Sequence, residues 1–272
     1  MAVPLTLPLT RPRSQADAAL HTTARLWFVV ATCGQWLFAL YVAAYYGGSA
    51  LRGNLDAWNV VFPRAHVAAA PISNAVTAMH LLFAVVIAVG GPLQLIPQLR
   101  ARLPVVHRWT GRTYLIAVVA ASLAGLYLVW IRGGAAGDTT QHVGLSLGAV
   151  LVIGFASMAL RTARARDFAA HRRWALRLFL AASGVWFFRV GLMLWLVVNR
   201  APVGFDPKTF SGPFLSVLSF VDYLFPLLVL ELYFRARAST DNRTKGLMAA
   251  GLLALTGAMG VGIGAAALMM WL

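Results

Sequence analysis

Charged residues are scarce in this 272-residue chain, and acidic residues are the scarcest. Only 11% of the residues are charged, eight are Asp or Glu, and 60% are hydrophobic. This composition excludes an ordinary soluble domain of the same size. Cysteine is almost absent as well. The single cysteine, Cys33, allows neither an intrachain disulfide nor a thiolate metal site.

Motifs of several common enzyme classes are also absent. The chain has no Walker-type Gly-rich loop, no zinc-protease motif and no nucleophile elbow. The net charge of +15 does not indicate nucleic-acid binding, because the arginines bunch in short loops between apolar segments. Basic residues in such loops set membrane topology and contact anionic lipids. We therefore expect the lipid bilayer and its anionic lipids as partners, and no nucleic acid.

Long apolar segments occupy most of the chain. About 20 apolar residues in a helix are enough to cross roughly 30 Å of hydrocarbon. The segments predict an all-α polytopic membrane bundle with seven spans, forming one integral membrane domain over residues 1–272. The predicted spans are 26–46, 75–96, 105–131, 142–160, 170–198, 212–235 and 247–271. The connection 47–74 is expected to lie on the membrane surface.

The basic residues of the loops alternate strongly from side to side. One set of loops and the N-terminal tail carry 17 of them, and the alternate loops carry five. The rich set is Arg11, Arg13, Arg25, Arg100, Arg102, Arg108, Arg112, Arg161, Arg164, Arg166, Arg172, Arg173, Arg177, Arg235, Arg237, Arg243 and Lys245. Because basic loops stay in the cytoplasm, the N-terminus is expected to be cytoplasmic and the C-terminus external.

A short basic motif occurs twice. Residues 100–108 and 164–172 both read R-A-R, four residues, then H-R, and the offset between the copies is 64 residues. Each copy lies at the turn of a predicted helix hairpin, 75–131 or 142–198. The pattern indicates an internal duplication, with spans two to five forming a four-helix core.

The repeat places two histidines in equivalent positions, His107 and His171, each beside arginines. Two neutral imidazoles that face each other across a bundle are a natural axial pair for haem iron. We expect haem b here, with propionates paired to nearby guanidinium groups. Those arginines are Arg100, Arg108, Arg112, Arg172 and Arg177. The alternative is a basic loop that serves only topology and lipid headgroups.

A second pair of histidines lies toward the other end of the same helices. His80 is about five residues inside its span, and His142 lies at the mouth of its span. If the hairpins are symmetric, these two side chains also converge, and they are candidate ligands of a second haem. A polar residue at the depth of His80 normally faces the bundle interior.

Two pairs of opposite charges are matched in depth. Arg189 and Asp222 each lie nine or ten residues inside the fifth and sixth spans, and Arg177 and Glu231 match near the cytoplasmic side. Because an unpaired intramembrane charge is costly, we expect both to form ion pairs. They serve either to fix the sixth helix to the fifth or to line a proton path or anion site. Glu231 is the expected proton carrier.

At these residues the chain resembles the bacterial membrane proteins of the domain-of-unknown-function 2306 family. The resemblance covers roughly residues 75–235 and implies a multi-span helical protein of the plasma membrane, without an established activity. The matching residues are His80, Gly90-Gly91-Pro92-Leu93-Gln94, Arg100, His107-Arg108-Trp109-Thr110-Gly111-Arg112-Thr113-Tyr114, Gly133-Gly134, His171-Arg172-Arg173-Trp174, Arg189 and Glu231.

A weaker resemblance, in arrangement only, is to the ascorbate-linked transmembrane cytochromes b. It implies histidine pairs from the second with the fourth helix and from the third with the fifth. We therefore expect a haem-b electron carrier, a membrane oxidoreductase that serves a redox partner or a quinone. The alternative is a small-molecule or lipid transporter, or a membrane sensor, in which His80 and the ion pairs line a path.

Overall fold

The computed structural model describes residues 14–132 and 137–271, which are helical and contain no β-sheet. Its helices are α1 (Gln15–Val42), α2 (Gly48–Leu51), α3 (Trp58–Val61), α4 (Pro71–Leu95), α5 (Pro97–Arg102), α6 (Pro104–Trp130), α7 (Thr139–Arg164), α8 (Phe168–Ala182), α9 (Gly184–Asn199), α10 (Pro213–Ala238) and α11 (Asn242–Ala266). Six helical stretches of the described residues are long and apolar enough to cross a membrane, and α8 with α9 makes a seventh. The predicted all-α bundle of about seven spans is confirmed.

Helix starts follow local chemistry. Proline occupies the first position of α4, α5, α6 and α10, where its missing N–H costs no hydrogen bond. Aspartates begin α7 and α8: Asp138 accepts from the Gln141 N–H at 2.9 Å, and Asp167 accepts from the Ala170 N–H at 2.9 Å. The turns between spans are therefore fixed by the sequence.

Four helices form a ring. The packed pairs are α4 with α6, α6 with α7, α7 with α8, and α8 with α4. This ring contains the two predicted hairpins, and it sets α6 diagonally across from α8. We call the end that holds the α4–α6 and α7–α8 turns the basic end, and the other the opposite end.

The predicted span 170–198 consists of two helices rather than one. The helix breaks at Ser183, and α8 and α9 meet at an angle of 51°. Ser-Gly pairs are common kink sites, and Ser183 is followed by Gly184. The Gln35 amide of α1 donates to Ser183 Oγ at 2.8 Å. Only α8 completes the ring, whereas α9 packs against α10 and α11.

The first and last helices lie side by side. α1 packs against α11, and both end in π-helical turns, Ala43–Gly47 and Ala267–Trp271. At the basic end Lys245 Nζ lies 2.6 Å from Asp17 Oδ1. Residues 52–70 cap the opposite end with short helical turns, and Trp58 turns inward to donate to the Tyr46 carbonyl at 2.9 Å.

Glycine sets the spacing between α9 and α11. A Cβ atom built on Gly262 would lie 2.5 Å from the Val190 backbone oxygen, which a side-chain rotation cannot relieve. We expect Gly262→Ala to destabilise the protein by about 1–3 kcal/mol through overpacking. Gly260→Ala is the matched control, because nothing lies within 4 Å of the new methyl group and Ala favours helix. Thermal unfolding in detergent should separate the two variants; equal midpoints would contradict the packing.

Candidate functional site at the basic end

His107 and His171 occupy the same position in their helices. Each is the fourth residue, and its backbone N–H donates to the residue before the helix: His107 to Leu103 at 3.0 Å, and His171 to Asp167 at 2.9 Å. Both side chains are half-buried. His171 acts electrostatically on His107, so the two imidazoles lie within electrostatic range of each other at the basic end.

The Nδ1 atom of each ring has a polar neighbour. His171 Nδ1 lies 2.9 Å from the Ala159 carbonyl oxygen of α7. A carbonyl only accepts, so Nδ1 carries the proton and the Nε2 lone pair is free when the ring is neutral. His107 Nδ1 lies 3.3 Å from the Gln94 amide, which also reaches Thr110 Oγ1 at 2.6 Å. In the orientation that satisfies its hydrogen bonds, the amide nitrogen donates to His107 Nδ1, so a neutral His107 carries its proton on Nε2; binding a ligand through Nε2 would require the amide to turn over and accept from Nδ1–H.

The arginines around the two rings point mostly to solvent. Those of the repeat are exposed except Arg177, which is half-buried. The exposed ones are Arg100, Arg102, Arg108, Arg112, Arg164, Arg166, Arg172 and Arg173. Arg100 acts electrostatically on His107. The site is therefore a pair of imidazoles beside a group of exposed arginines, whose guanidinium groups are suited to binding anions.

Stacking within the repeat is duplicated as well. The Arg112 guanidinium lies 5.0 Å from the Trp109 ring centroid, and that of Arg177 lies 4.8 Å from Trp174. Both pairs are three residues apart on their helices, which brings the side chains to one face. The Trp–Arg pair of the second copy is displaced by one residue from the offset of 64 that relates the histidines, so the stacking recurs but not at the same helical position.

Tight packing closes the space beneath the histidines. A Cβ on Gly91 would meet Phe179 at 3.1 Å and Tyr114 at 3.3 Å, so α4, α6 and α8 approach closely there. The Tyr114 hydroxyl is buried and has no hydrogen-bond partner. Tyr114 lies two turns beyond His107 on the same helix face. Its unsatisfied hydroxyl was missed by sequence reasoning, which had treated the tyrosine only as part of a family motif.

The structure does not bring His80 and His142 together. His80 Nδ1 lies 3.0 Å from the Ala121 carbonyl, whereas the His142 ring packs edge-on against Trp130, 6.0 Å between centroids. These contacts on α6 are nine residues apart, or about 13 Å along the axis. The repeat explains this: its offset of 64 pairs His80 with Gly144, and His142 is displaced by two residues, about 200° of rotation.

One expected ion pair is present. Arg177 Nε donates to Glu231 Oε1 at 2.7 Å, and Nη2 lies 2.7 Å from the same oxygen. This joins α8 to α10 near the basic end. Arg177 also lies 5.6 Å from the Phe234 ring centroid, in addition to its stacking on Trp174.

The expected pair of Arg189 and Asp222 is not formed. No salt bridge joins them among the described residues: Arg189 Nη1 donates to the Val185 carbonyl at 3.2 Å, and its guanidinium lies 5.2 Å from the Phe38 ring centroid. Asp222 lies instead against Gly184. Equal depth in neighbouring helices does not fix the direction in which each side chain points. The quoted Gly133-Gly134 lies outside the described residues.

Comparison with known proteins identifies the family. The family model "Predicted membrane protein (DUF2306)" matches residues 77–224, which is more than half of the chain. The chain belongs to this family. The matched region includes α6, α7, α8, α9 and nearly all of α4, together with both histidine pairs. No curated protein and no solved structure shows significant similarity to the chain.

A double-mutant cycle tests the Arg177–Glu231 pair. We expect a coupling free energy of about 1 kcal/mol from Arg177→Gln, Glu231→Gln and the double variant, because Glu231 is 42% exposed and partly screened. Arg177→Gln should cost more than Glu231→Gln, since it also removes the aromatic contacts. Arg173→Gln, on the exposed face of α8, is the control. Additive shifts in thermal unfolding would show that the pair contributes nothing.

Proposed function

We propose that this protein is a transmembrane electron carrier that binds one haem b at its basic end, with His107 and His171 as axial ligands. The observation that supports this most is the placement of two imidazoles at the same helical position on diagonal helices of a four-helix ring, each within electrostatic range of the other. Paired histidines on facing helices are a common means of holding haem iron.

The donor set suits the group. His171 has the tautomer that a ligand needs, because the Ala159 carbonyl fixes the proton on Nδ1 and leaves Nε2 free. Arg100 beside His107, and the exposed Arg108 and Arg172 next to the two histidines, suit propionates. Haem would supply one-electron exchange. The protein's own residues hold and orient the ring, and the packed Gly91, Tyr114 and Phe179 exclude water from below.

A single haem is proposed rather than two. His80 and His142 contact α6 at different depths, so they do not offer a common axis to one iron. By the arginine bias, the basic end faces the cytoplasm of a bacterial plasma membrane. A quinone or a redox protein would be the second partner, and anionic lipids would contact the exposed arginines.

Absorption spectroscopy tests the haem site. Protein purified in detergent from cells supplied with haem precursor should show Soret and alpha bands that respond to dithionite. His107→Ala and His171→Ala should each lose at least 90% of the band intensity, because one ligand is removed. His66→Ala is the control, since His66 is engaged with Asp56 2.7 Å away at the opposite end. A folded, colourless wild-type protein would reject the proposal.

A second candidate function is binding of a small anionic molecule at the opposite end. A pocket of about 380 Å³ lies between the two π-helical turns and is lined by Tyr41, Ala44, Tyr45, Arg52, Val61, Met270 and Trp271. π-Helical turns are frequent at functional sites. Behind Tyr41 lies the Arg189 guanidinium, which has no carboxylate partner among the described residues, and its Nε has no acceptor. This supports the transporter or sensor alternative.

Benzoate is a suitable probe for that pocket, since it combines an aromatic ring with a carboxylate. It should quench tryptophan fluorescence through Trp271. Arg52→Gln should weaken binding roughly 10- to 100-fold, as expected for a lost charged hydrogen bond, and Arg189→Gln should weaken it less, because Arg189 does not line the pocket and acts only at a distance. Arg200→Gln, in the loop after α9, should leave affinity unchanged. Equal affinity in all four proteins would exclude the site.

A further inference from the structure

Asp222 is a carboxyl group buried deep in the membrane bundle. It is 5% exposed and lies nine residues into α10, roughly 14 Å from the start of the helix. No lysine, arginine or histidine of the described residues lies within salt-bridge distance, and its Oδ1 atom has no hydrogen-bond partner. Neither the haem proposal nor the pocket uses this group.

The helices packed on α10 present no charge to Asp222. At the α8–α9 break it faces Gly184, while Gly144 and Gly148 of α7 lie against the neighbouring Ser219 and Tyr223. α11 meets α10 through apolar residues such as Leu255, and α8 meets it through Leu180. α9 meets it through Leu192, and Arg189 of α9 is directed to the Val185 carbonyl and the Phe38 ring. Tyr223, the next residue on α10, is within electrostatic range, but a neutral phenol cannot neutralise a carboxylate.

An isolated carboxylate in such surroundings is costly, because neither water nor a cation compensates its charge. Binding a proton removes that cost, since the neutral acid needs only ordinary hydrogen bonds. The unpartnered oxygen, the burial and the depth of Asp222 therefore all favour a proton as the ligand of this site.

A stripe of two hydroxyl groups lies on the face of α10 between Asp222 and the opposite end. Ser216, Ser219 and Asp222 are spaced three residues apart and share one face of α10. Ser216 Oγ donates to Asp138 Oδ2 at 2.8 Å, and Ser219 Oγ donates to the Ser216 carbonyl at 2.8 Å. Asp138 and Ser216 are partly exposed, whereas Ser219 is 1% exposed.

The exposed end of this stripe carries the anionic carboxylate of Asp138. The Gln141 backbone N–H and the Ser216 hydroxyl donate to Asp138, and these hydrogen bonds hold the pKa of its carboxyl below the usual range. Asp138 is therefore ionised at neutral pH and attracts protons to the entrance. Beyond Ser216, the next hydroxyl on this face of α10 is the buried Ser219, three residues before Asp222.

We propose that Asp222 is an intramembrane proton-binding site that is loaded from the opposite end through the Ser216–Ser219 stripe. In the step, an O–H bond of water or hydronium at the Asp138 mouth breaks, and one O–H bond forms on Asp222, so that one positive charge moves into the membrane. The site does not depend on haem, and it stands or falls independently of His107 and His171.

Glu231 is the internal control. It lies on the same helix, but Arg177 2.7 Å away compensates its charge and its side chain is 42% exposed. This reverses the expectation from sequence, in which Glu231 was the proton carrier and Asp222 was half of an ion pair. The two carboxyl groups lie on the same helix and differ in their partners and in their burial.

Dicyclohexylcarbodiimide distinguishes the two carboxyls. This apolar reagent reacts with protonated carboxyl groups: the acid O–H adds across a C=N bond, and the proton moves to nitrogen. The full chain in detergent should take up one adduct, located at Asp222 by mass spectrometry, and labelling should fall as pH rises. Asp222→Asn should lose it and Glu231→Gln should keep it. An adduct at Glu231, or none on the folded wild type, would overturn the proposal.

Infrared spectroscopy supplies a second readout and tests the route. The folded wild type should show a protonated-carboxyl C=O band at neutral pH that Asp222→Asn removes. On transfer to D₂O, the shift of that band should be at least 10-fold slower in Ser219→Ala. Ser157→Ala, on the exposed side of α7, should exchange at the wild-type rate. Unchanged exchange in Ser219→Ala would refute the route, and absence of the band would refute the site.

Discussion

The break at Ser183 determines how the remaining helices can pack. A straight fifth span would follow either the ring with α4 and α7 or the outer group with α10 and α11, but the 51° bend lets its two halves do both. In hydrocarbon, backbone groups freed by a break need partners, and Ser183 and Gln35 supply polar atoms at this level. Both the histidine pair and the buried Asp222 depend on this geometry, because α8 carries His171 and Gly184 at the break lies against Asp222.

Polar groups in this bundle divide into two kinds. At the basic end they are numerous, exposed and cationic, and they surround the His107 and His171 rings. In the middle they are few: a guanidinium resting on an aromatic ring, and a buried carboxyl beside Gly184. Groups of the first kind bind anions and lipid headgroups readily, whereas those of the second kind must change protonation, find a ligand or bear a high cost.

Much of the fold followed from the sequence, since the number of spans depends only on hydropathy and length, and the R-A-R…H-R repeat placed His107 and His171 at matching positions. The direction in which each side chain points around its helix axis was harder to predict. The depths of Arg189 and Asp222 agree, yet the side chains point to different neighbours. His142 fell two residues away from the repeat position, now occupied by Gly144. The Ser183-Gly184 pair is a kink signal in the sequence, but a count of spans from hydropathy and length does not use it, and neither residue fixes the angle of the bend.

The parallel contact between α1 and α11 has a consequence for biosynthesis. The surface of α1 around Gly34 packs against Ile263 of α11, and Asp17 of α1 forms a salt bridge with Lys245 of α11. During synthesis the first helix therefore enters the bilayer more than 200 residues before its main partner exists. Until α11 is translated, lipid or the insertion machinery must cover that face, and this part of the bundle is completed only after α11 has been inserted.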